Sequence, residues 1–465
     1  GGGGGGGGVY IICRTFAGTN SMVSANGGAG AVLGGGGGGG RIAVVYDPAA
    51  PAALAGAPSA QLSARQGVQG GLAEDGEIGS VYLPDTQVLP GQMLAFAGRM
   101  GFSNAAAWGP SAFLLSNGWV AFPAGFALPI TNGARAIAGA RLDTSNAVMS
   151  CAELSLTNSS LYAFRGTASA ERLAVAGALR LDGGTLRVWY ALTNPASFTV
   201  GGAASFTNAA HLYVYSGLTN GPASDFGGVL DFDGRDVTLP TNCAIHVMSH
   251  PTNGASVQLR VRNLDVRGGG QITGAAQGYS GGVAGHPTGF GSGGGGSNVR
   301  GGGGGYGGRG GNGQDAAGGE TNGVAAKPMA PGSGGGAKAG GVSVGGSGGG
   351  MLRILVERQA TVDGAITANG GGSPTGGDDS AGGGSGGGIY LTCRRIFGAG
   401  RLSADGGNGS PLGGGGGGGR IAVWTETSNY VGTATAAGGS GWSAGSPGAV
   451  TWITVGAPGT VFVAR

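Results

Sequence analysis

Charge is scarce in this chain. Only 10% of its 465 residues are Asp, Glu, Lys or Arg, and the net charge is +3, where an ordinary soluble domain carries roughly 25% charged residues. So weak a field gives little protection against self-association and points to a solid-like assembly. It also speaks against nucleic-acid binding, which needs a basic face. Cysteine is nearly absent. Cys13, Cys151, Cys243 and Cys393 are too few for a disulfide framework. Cys13 and Cys393 read as small buried hydrophobes, and nothing in the sequence supports a Cys151–Cys243 bridge. No run of 18 apolar residues occurs, so no segment is expected to span a membrane as a helix. Helical periodicity is missing as well. Only Ala168–Leu181 has a helix-like composition, and its glycine and its alternation favour strand. No Met and no basic leader precede Gly1, so the chain is expected to be processed or cut from something longer.

What is present is glycine. The chain holds 115 Gly and 19 Pro, a composition that by itself suggests low complexity. Disorder, however, goes with low hydrophobicity and high net charge, and here the hydrophobic content is 40%. Ordering glycine costs more backbone entropy than ordering any other residue. Each run must therefore be held by its neighbours.

The glycine is arranged in a repeat. Gly34–Gly40 followed by Arg41-Ile42-Ala43-Val44 is matched letter for letter by Gly413–Gly419 followed by Arg420-Ile421-Ala422-Val423. Tyr10, Cys13 and Arg14 match Tyr390, Cys393 and Arg394 at an offset of 380, and Gly79–Leu83 matches Gly459–Val463 at the same offset. Residues 1–85 and 381–465 are thus two copies of one module, and fixed-period similarity is the mark of repeat architectures.

The strand-like runs alternate with period two. Val9, Ile11 and Cys13 point one way, and Tyr10 and Ile12 the other. Ile389, Leu391 and Cys393 repeat the inward set. Leu352, Ile354 and Val356 form another strand after Gly348–Gly350. Ser24-Ala25-Asn26-Gly27, Thr367-Ala368-Asn369-Gly370, Ser403-Ala404-Asp405-Gly406 and Thr273–Ala276 read as turns, because Asn and Asp tolerate positive φ. Residues 86–256 lack glycine runs and show dense alternation, as in Leu179–Val188 and His211–Tyr215, with turns at sandwich, barrel or solenoid spacing. Residues 268–350 are the poorest in side chains. Extended glycine helices with three residues per turn have no internal hydrogen bonds and must pair with one another. The expected fold is all-β: a parallel β-helix or solenoid with packed polyglycine II-type helices. Its sections are 1–85, 86–256, 257–350 and 351–465, of which 381–465 is the second copy.

Signals for chemistry are sparse. Asp231, Asp233 and Asp236 form the best carboxylate cluster for sugar cleavage, but solvated turn aspartates are the simpler reading, as they are for Asp378-Asp379. Gly310–Asp315 resembles one fragment of a calcium-binding repeat, yet Ala317 stands where a large apolar residue belongs. Of the four histidines, His211, His246, His250 and His286, the pair His246/His250 is not on a credible helix. Val299–Gly311 resembles an RNA-binding RGG tract; a glycine bundle with Arg300, Tyr306 and Arg309 facing outward is preferred. No catalytic, cofactor-binding or metal-ligating residue is assigned, and an enzyme is not expected.

The heptaglycine, Arg-Ile-Ala-Val and Gly-x-x-Gly-[Ser/Thr]-Val pattern resembles very large glycine-rich repeat proteins of bacterial envelopes. Residues 86–256 look like rungs of autotransporter-type β-helices. These resemblances imply an extracellular fibre, adhesin or matrix and carry over no catalytic residues. The expectation is a structural segment or subunit of an extracellular bacterial filament, partnered with itself by end-to-end stacking. The alternatives are an adhesin that meets surface glycans through Trp108, Trp119, Trp189 and Tyr190, and a polysaccharide-degrading enzyme.

Overall fold

The computed structural model describes residues 1–18, 21–50, 60–70, 74–144, 147–163, 173–190, 197–218, 227–340, 343–374 and 380–456. Among them every element is a strand and none a helix. Leu173–Val175 and Leu179–Asp182, from the one stretch with helix-like composition, are both strands. Two compact units divide the described chain between Val188 and Trp189.

In the first unit one sheet runs in the order Gly8–Ile12, Arg41–Val45, Ser80–Leu83, Ala97–Phe102, Trp119–Ala121, Arg141–Asp143, Ser160–Ala163 and Thr185–Trp189. A second sheet takes the strands between them: Gln92–Leu94, Phe113–Ser116, Ala127–Ile137, Val148–Thr157 and Leu179–Asp182. The pairs are parallel throughout. Period-two sequences explain the inner face. In Val148–Thr157, Met149, Cys151, Leu154 and Leu156 are buried. Parallel register then stacks like on like: Leu142 lies between Val120 and Leu161, and Leu161 is followed by Leu186.

The second unit repeats this logic. Leu212, Ile245, Ile272, Ile366, Leu402 and Ala434 are consecutive partners across one sheet. Phe198, Leu230, Leu259, Ile354, Leu391, Val423 and Trp452 are consecutive partners across the other. Each buried aliphatic side chain in such a column contributes about 1.5–3 kcal/mol relative to exposure. Gln271–Thr273 is hydrogen-bonded to Ala365–Thr367 although the whole of 274–364 intervenes. Most of that interval, 274–350, is a strandless glycine-rich excursion. It closes where it opened, with Gly350 N–H donating to the Gly274 carbonyl at 2.6 Å.

The expected parallel β-helix or solenoid with polyglycine II-type helices is corrected here to large parallel sheets accompanied by a strandless glycine layer. Short alternating runs specify strands and an inward face, but not how the strands are shared among sheets. The pairing of strands is not uniform. Gly388–Gly398 pairs with Met351–Val356 along its first half and with Gln359–Val362 along its second. The 274–350 excursion then interrupts the sequence of strands.

The turn reading of the Asn/Asp-Gly segments also changes. Asn26, Asn369 and Asp405 are not among the residues with positive φ; of the four segments named, only Ala276 is, at +54°. These side chains instead tie one strand layer to the next. Asn26 Oδ1 accepts from Arg65 N–H at 2.8 Å and Asn369 Oδ1 from Asp405 N–H at 2.8 Å. Asp405 Oδ1 in turn accepts from Ala437 N–H at 2.8 Å.

Candidate functional site

The glycine tracts satisfy one another's backbones in rotation. In the second copy, Gly382 and Ser385 donate to the carbonyls of Gly336 and Ser333. Gly383 and Gly386 donate to Gly414 and Gly417, and Gly384 and Gly387 to Gly371 and Ala368. Every third N–H thus serves the same neighbour, and one tract binds three others. This leaves no room for side chains. A Cβ on Gly382, Gly384 or Gly387 would meet a neighbouring carbonyl oxygen at 2.0–2.1 Å, well inside van der Waals contact. All of Ala381–Gly388 is buried.

The first copy has the same glycines without the same surroundings. Gly3 and Gly6 donate to Gly35 and Gly38, both at 2.8 Å, as their counterparts Gly383 and Gly386 do to Gly414 and Gly417. Among the described residues, Gly2, Gly4, Gly5 and Gly7 donate to no backbone carbonyl. A Cβ added at Gly4 or Gly7 would meet nothing within 4 Å. In Gly1–Gly8 only Gly3 and Gly6 are even half-buried.

The strand that follows tells the same story. Gly388–Gly398 lies between Met351–Val356 and Arg420–Tyr430. Among the described residues its counterpart Gly8–Ile12 pairs only with Arg41–Val45 and is the edge of its sheet. Tyr10 and Ile12 are 68% and 71% exposed there. At the other end of the repeat, Ala449–Thr454 pairs, among the described residues, only with Arg420–Tyr430. Ser80 and Ala449 occupy the same register against Arg41 and Arg420. The structural counterpart of Gly79–Leu83 is therefore Gly448–Trp452; the sequence match at Gly459–Val463 lies outside the described residues.

Arg420 and Arg41 differ most sharply. Arg420 is buried, its Nε donating to the Asn322 carbonyl at 3.0 Å and its guanidinium 5.6 Å from the Tyr306 ring centroid. Trp424 Nε1 donates to the Ala326 carbonyl at 2.7 Å, and Arg353 to that of Met329 at 2.7 Å. Three side chains from two strands of one sheet thereby pin the 306–330 loop. Tyr306, expected to face outward, is wholly buried among the glycines, and burial pushes its phenol up to about 12. Arg309 is exposed and pairs with Glu320. Arg41, the first-copy counterpart of Arg420, is exposed.

The remaining candidates are placed as follows. Asp231 accepts from Asp233 N–H at 2.9 Å, Asp233 has a φ of +44°, and Asp236 accepts from Arg262 and Asn263 at 2.7 and 2.8 Å. The three belong to one turn and its ion pair, and Arg262 holds the Asp236 carboxyl below its usual range. Asp315 accepts from Arg300 N–H at 2.7 Å. Asp378-Asp379 lies outside the described residues. Trp108 and Tyr190 are buried. Trp119 has the Arg141 guanidinium 4.1 Å over its ring, and Trp189 stacks on Tyr215 at 4.1 Å. Trp108 and Tyr190 thus belong to the core, whereas Trp119 and Trp189 are half-buried. All four cysteines are free thiols. No family model, curated protein or solved structure matches the chain.

Proposed function

We propose that this chain is a structural repeat segment of an extracellular bacterial filament or surface fibre, built by longitudinal addition of further copies of the same repeat. The observation that carries this reading is glycine where open space does not require it. Gly4 and Gly7 would accept a Cβ freely, and alanine there would lower the entropic cost of ordering by about 0.5–1 kcal/mol per residue. Glycine is demanded only when a further layer closes on that face, as residues 332–336, 345–350 and 368–371 close on the second copy. The edge strand Gly8–Ile12, the exposed Tyr10 and the exposed Arg41 lie on the same module and would be covered by the same addition. An unpaired strand edge is a template for association, and a surface this poor in charge does not oppose it.

The test is electron microscopy of the full chain with and without Gly4→Ala/Gly7→Ala. The expected result is filaments with a regular axial repeat from the native chain and isolated particles from the variant, whose melting temperature is no lower than that of the native chain. Isolated particles from native and variant alike, across assembly conditions, would overturn the reading.

A further inference from the structure

Two of the four histidines meet on the outward face of the second unit. His211 lies on His211–Tyr215 and His246 on Ala244–Met248, adjacent parallel strands in which Tyr213 is level with His246. Nδ1 of His211 and Nε2 of His246 are 3.1 Å apart. The His246 ring is fixed by stacking on Tyr213, with centroids 4.0 Å apart and planes within 6°. The two imidazoles are 5.2 Å apart between centroids and inclined at 45°. Both are half-buried, within reach of solvent.

We infer that His211 and His246 form a binding site for a divalent transition-metal ion of the zinc class. Two nitrogens bound to one zinc at about 2.0–2.1 Å with a tetrahedral angle lie roughly 3.3 Å apart. The observed separation is within a small ring tilt of that value. Imidazole is the ligand type that zinc, copper and nickel share. Without metal, one of the facing nitrogens carries the proton of the hydrogen bond. With metal bound, that proton resides on the far nitrogen of the same ring, so both facing lone pairs reach the ion. Among the described residues no group of three or more His, Cys, Asp or Glu side chains gathers into a metal site. The two imidazoles supply two of the four ligands of a tetrahedral zinc. The other two histidines are engaged differently. His250 Nδ1 accepts from Asn253 N–H at 3.1 Å, and His286 sits with Nδ1 2.9 Å from the Thr288 carbonyl while stacking on Phe290.

The inference is independent of the filament reading. Its test is Zn2+ titration of the full chain against a chromophoric chelator, with Co2+ absorption as a second readout. One ion per chain is expected. His211→Ala and His246→Ala should each weaken binding about tenfold or more, and His286→Ala should leave it unchanged. Both substitutions are on an outward face, and a thermal melt checks that each variant is folded. If one of them is unfolded, His211→Gln, which keeps the side chain's bulk, takes its place. Native protein that binds Zn2+ no more tightly than the His211→Ala/His246→Ala double variant overturns the site, as does equal weakening by His286→Ala.

Discussion

At the scale of single residues, identical letters have different surroundings, and their chemistry should differ accordingly. Cys393 is buried, and desolvation pushes its thiol up to about 11; Cys151 is pushed to about 12 by the same cause. Cys13, the first-copy counterpart of Cys393, is only half-buried. Because the thiolate is the reactive form, a disulfide reagent at pH 8 should label Cys13 and spare the buried Cys151, Cys243 and Cys393 in the folded chain. Peptide mapping reads this directly, and assembly of further copies should protect Cys13. Substitutions at glycine follow the same contrast. Gly387→Ala would drive a Cβ to 2.1 Å from the Gly350 carbonyl oxygen and should cost at least about 1–3 kcal/mol of stability, the range for overpacking. Gly7→Ala should cost nothing in the unassembled protein. A chemical-denaturation midpoint for each variant checks the pair.

At the scale of elements, strand positions and inward faces were legible in the sequence because period-two alternation is a local property. Leu391 was assigned to the core from alternation alone and is fully buried. Leu391→Ala should cost about 2–5 kcal/mol, measured by denaturation. The role of the Ala-Asn/Asp-Gly segments was not legible: they read as turns and instead bridge strand layers. A sequence gives the tolerance of Asn for positive φ, but not the next layer whose N–H its side chain receives. That partner is 36 residues away for Asn369 and 32 for Asp405. Asp405 also accepts from Thr435 Oγ1 and Arg401, both at 3.0 Å. Asp405→Ala leaves Ala437 N–H without that acceptor and should cost about 1–3 kcal/mol, whereas Asp405→Asn should recover most of the loss. Tyr306 was misread for a related reason. A tyrosine among glycines looks like a surface ornament until the Arg420 guanidinium is seen over its buried ring.

At the scale of the whole molecule, sheet composition was the least legible feature. It depends on long-range register and on the 274–350 excursion leaving one sheet after Gln271–Thr273 and entering the other at Met351–Val356, and neither is written in local pattern. The same scale sets the response to alkali. Burial raises Tyr306 and Tyr430 to about 12 and moves Tyr46 further in the same direction, with Asp85 assisting. An acid whose folded pKa is raised contributes stability that is fully present below its ordinary value near 10 and is lost as pH climbs through the folded value. The melting temperature should therefore hold to about pH 9.5 and fall between about pH 10 and 12. Tyr306→Phe should make that fall shallower.

The three-residue rotation of glycine bonding has one more consequence. A tract made only of glycine looks the same after a shift of three positions, since each N–H then finds a carbonyl with the same geometry. Gly1–Gly8 would dock equally well in several phases, like a key that enters a lock at more than one notch. The backbone supplies adhesion but no address. The address must come from the few side chains at the border, Tyr10 and Arg41, whose second-copy counterpart Arg420 already reads two carbonyls of a covering loop. Arg41→Ala should therefore leave adhesion intact and scramble its phase, turning a sharp axial repeat into a blurred one.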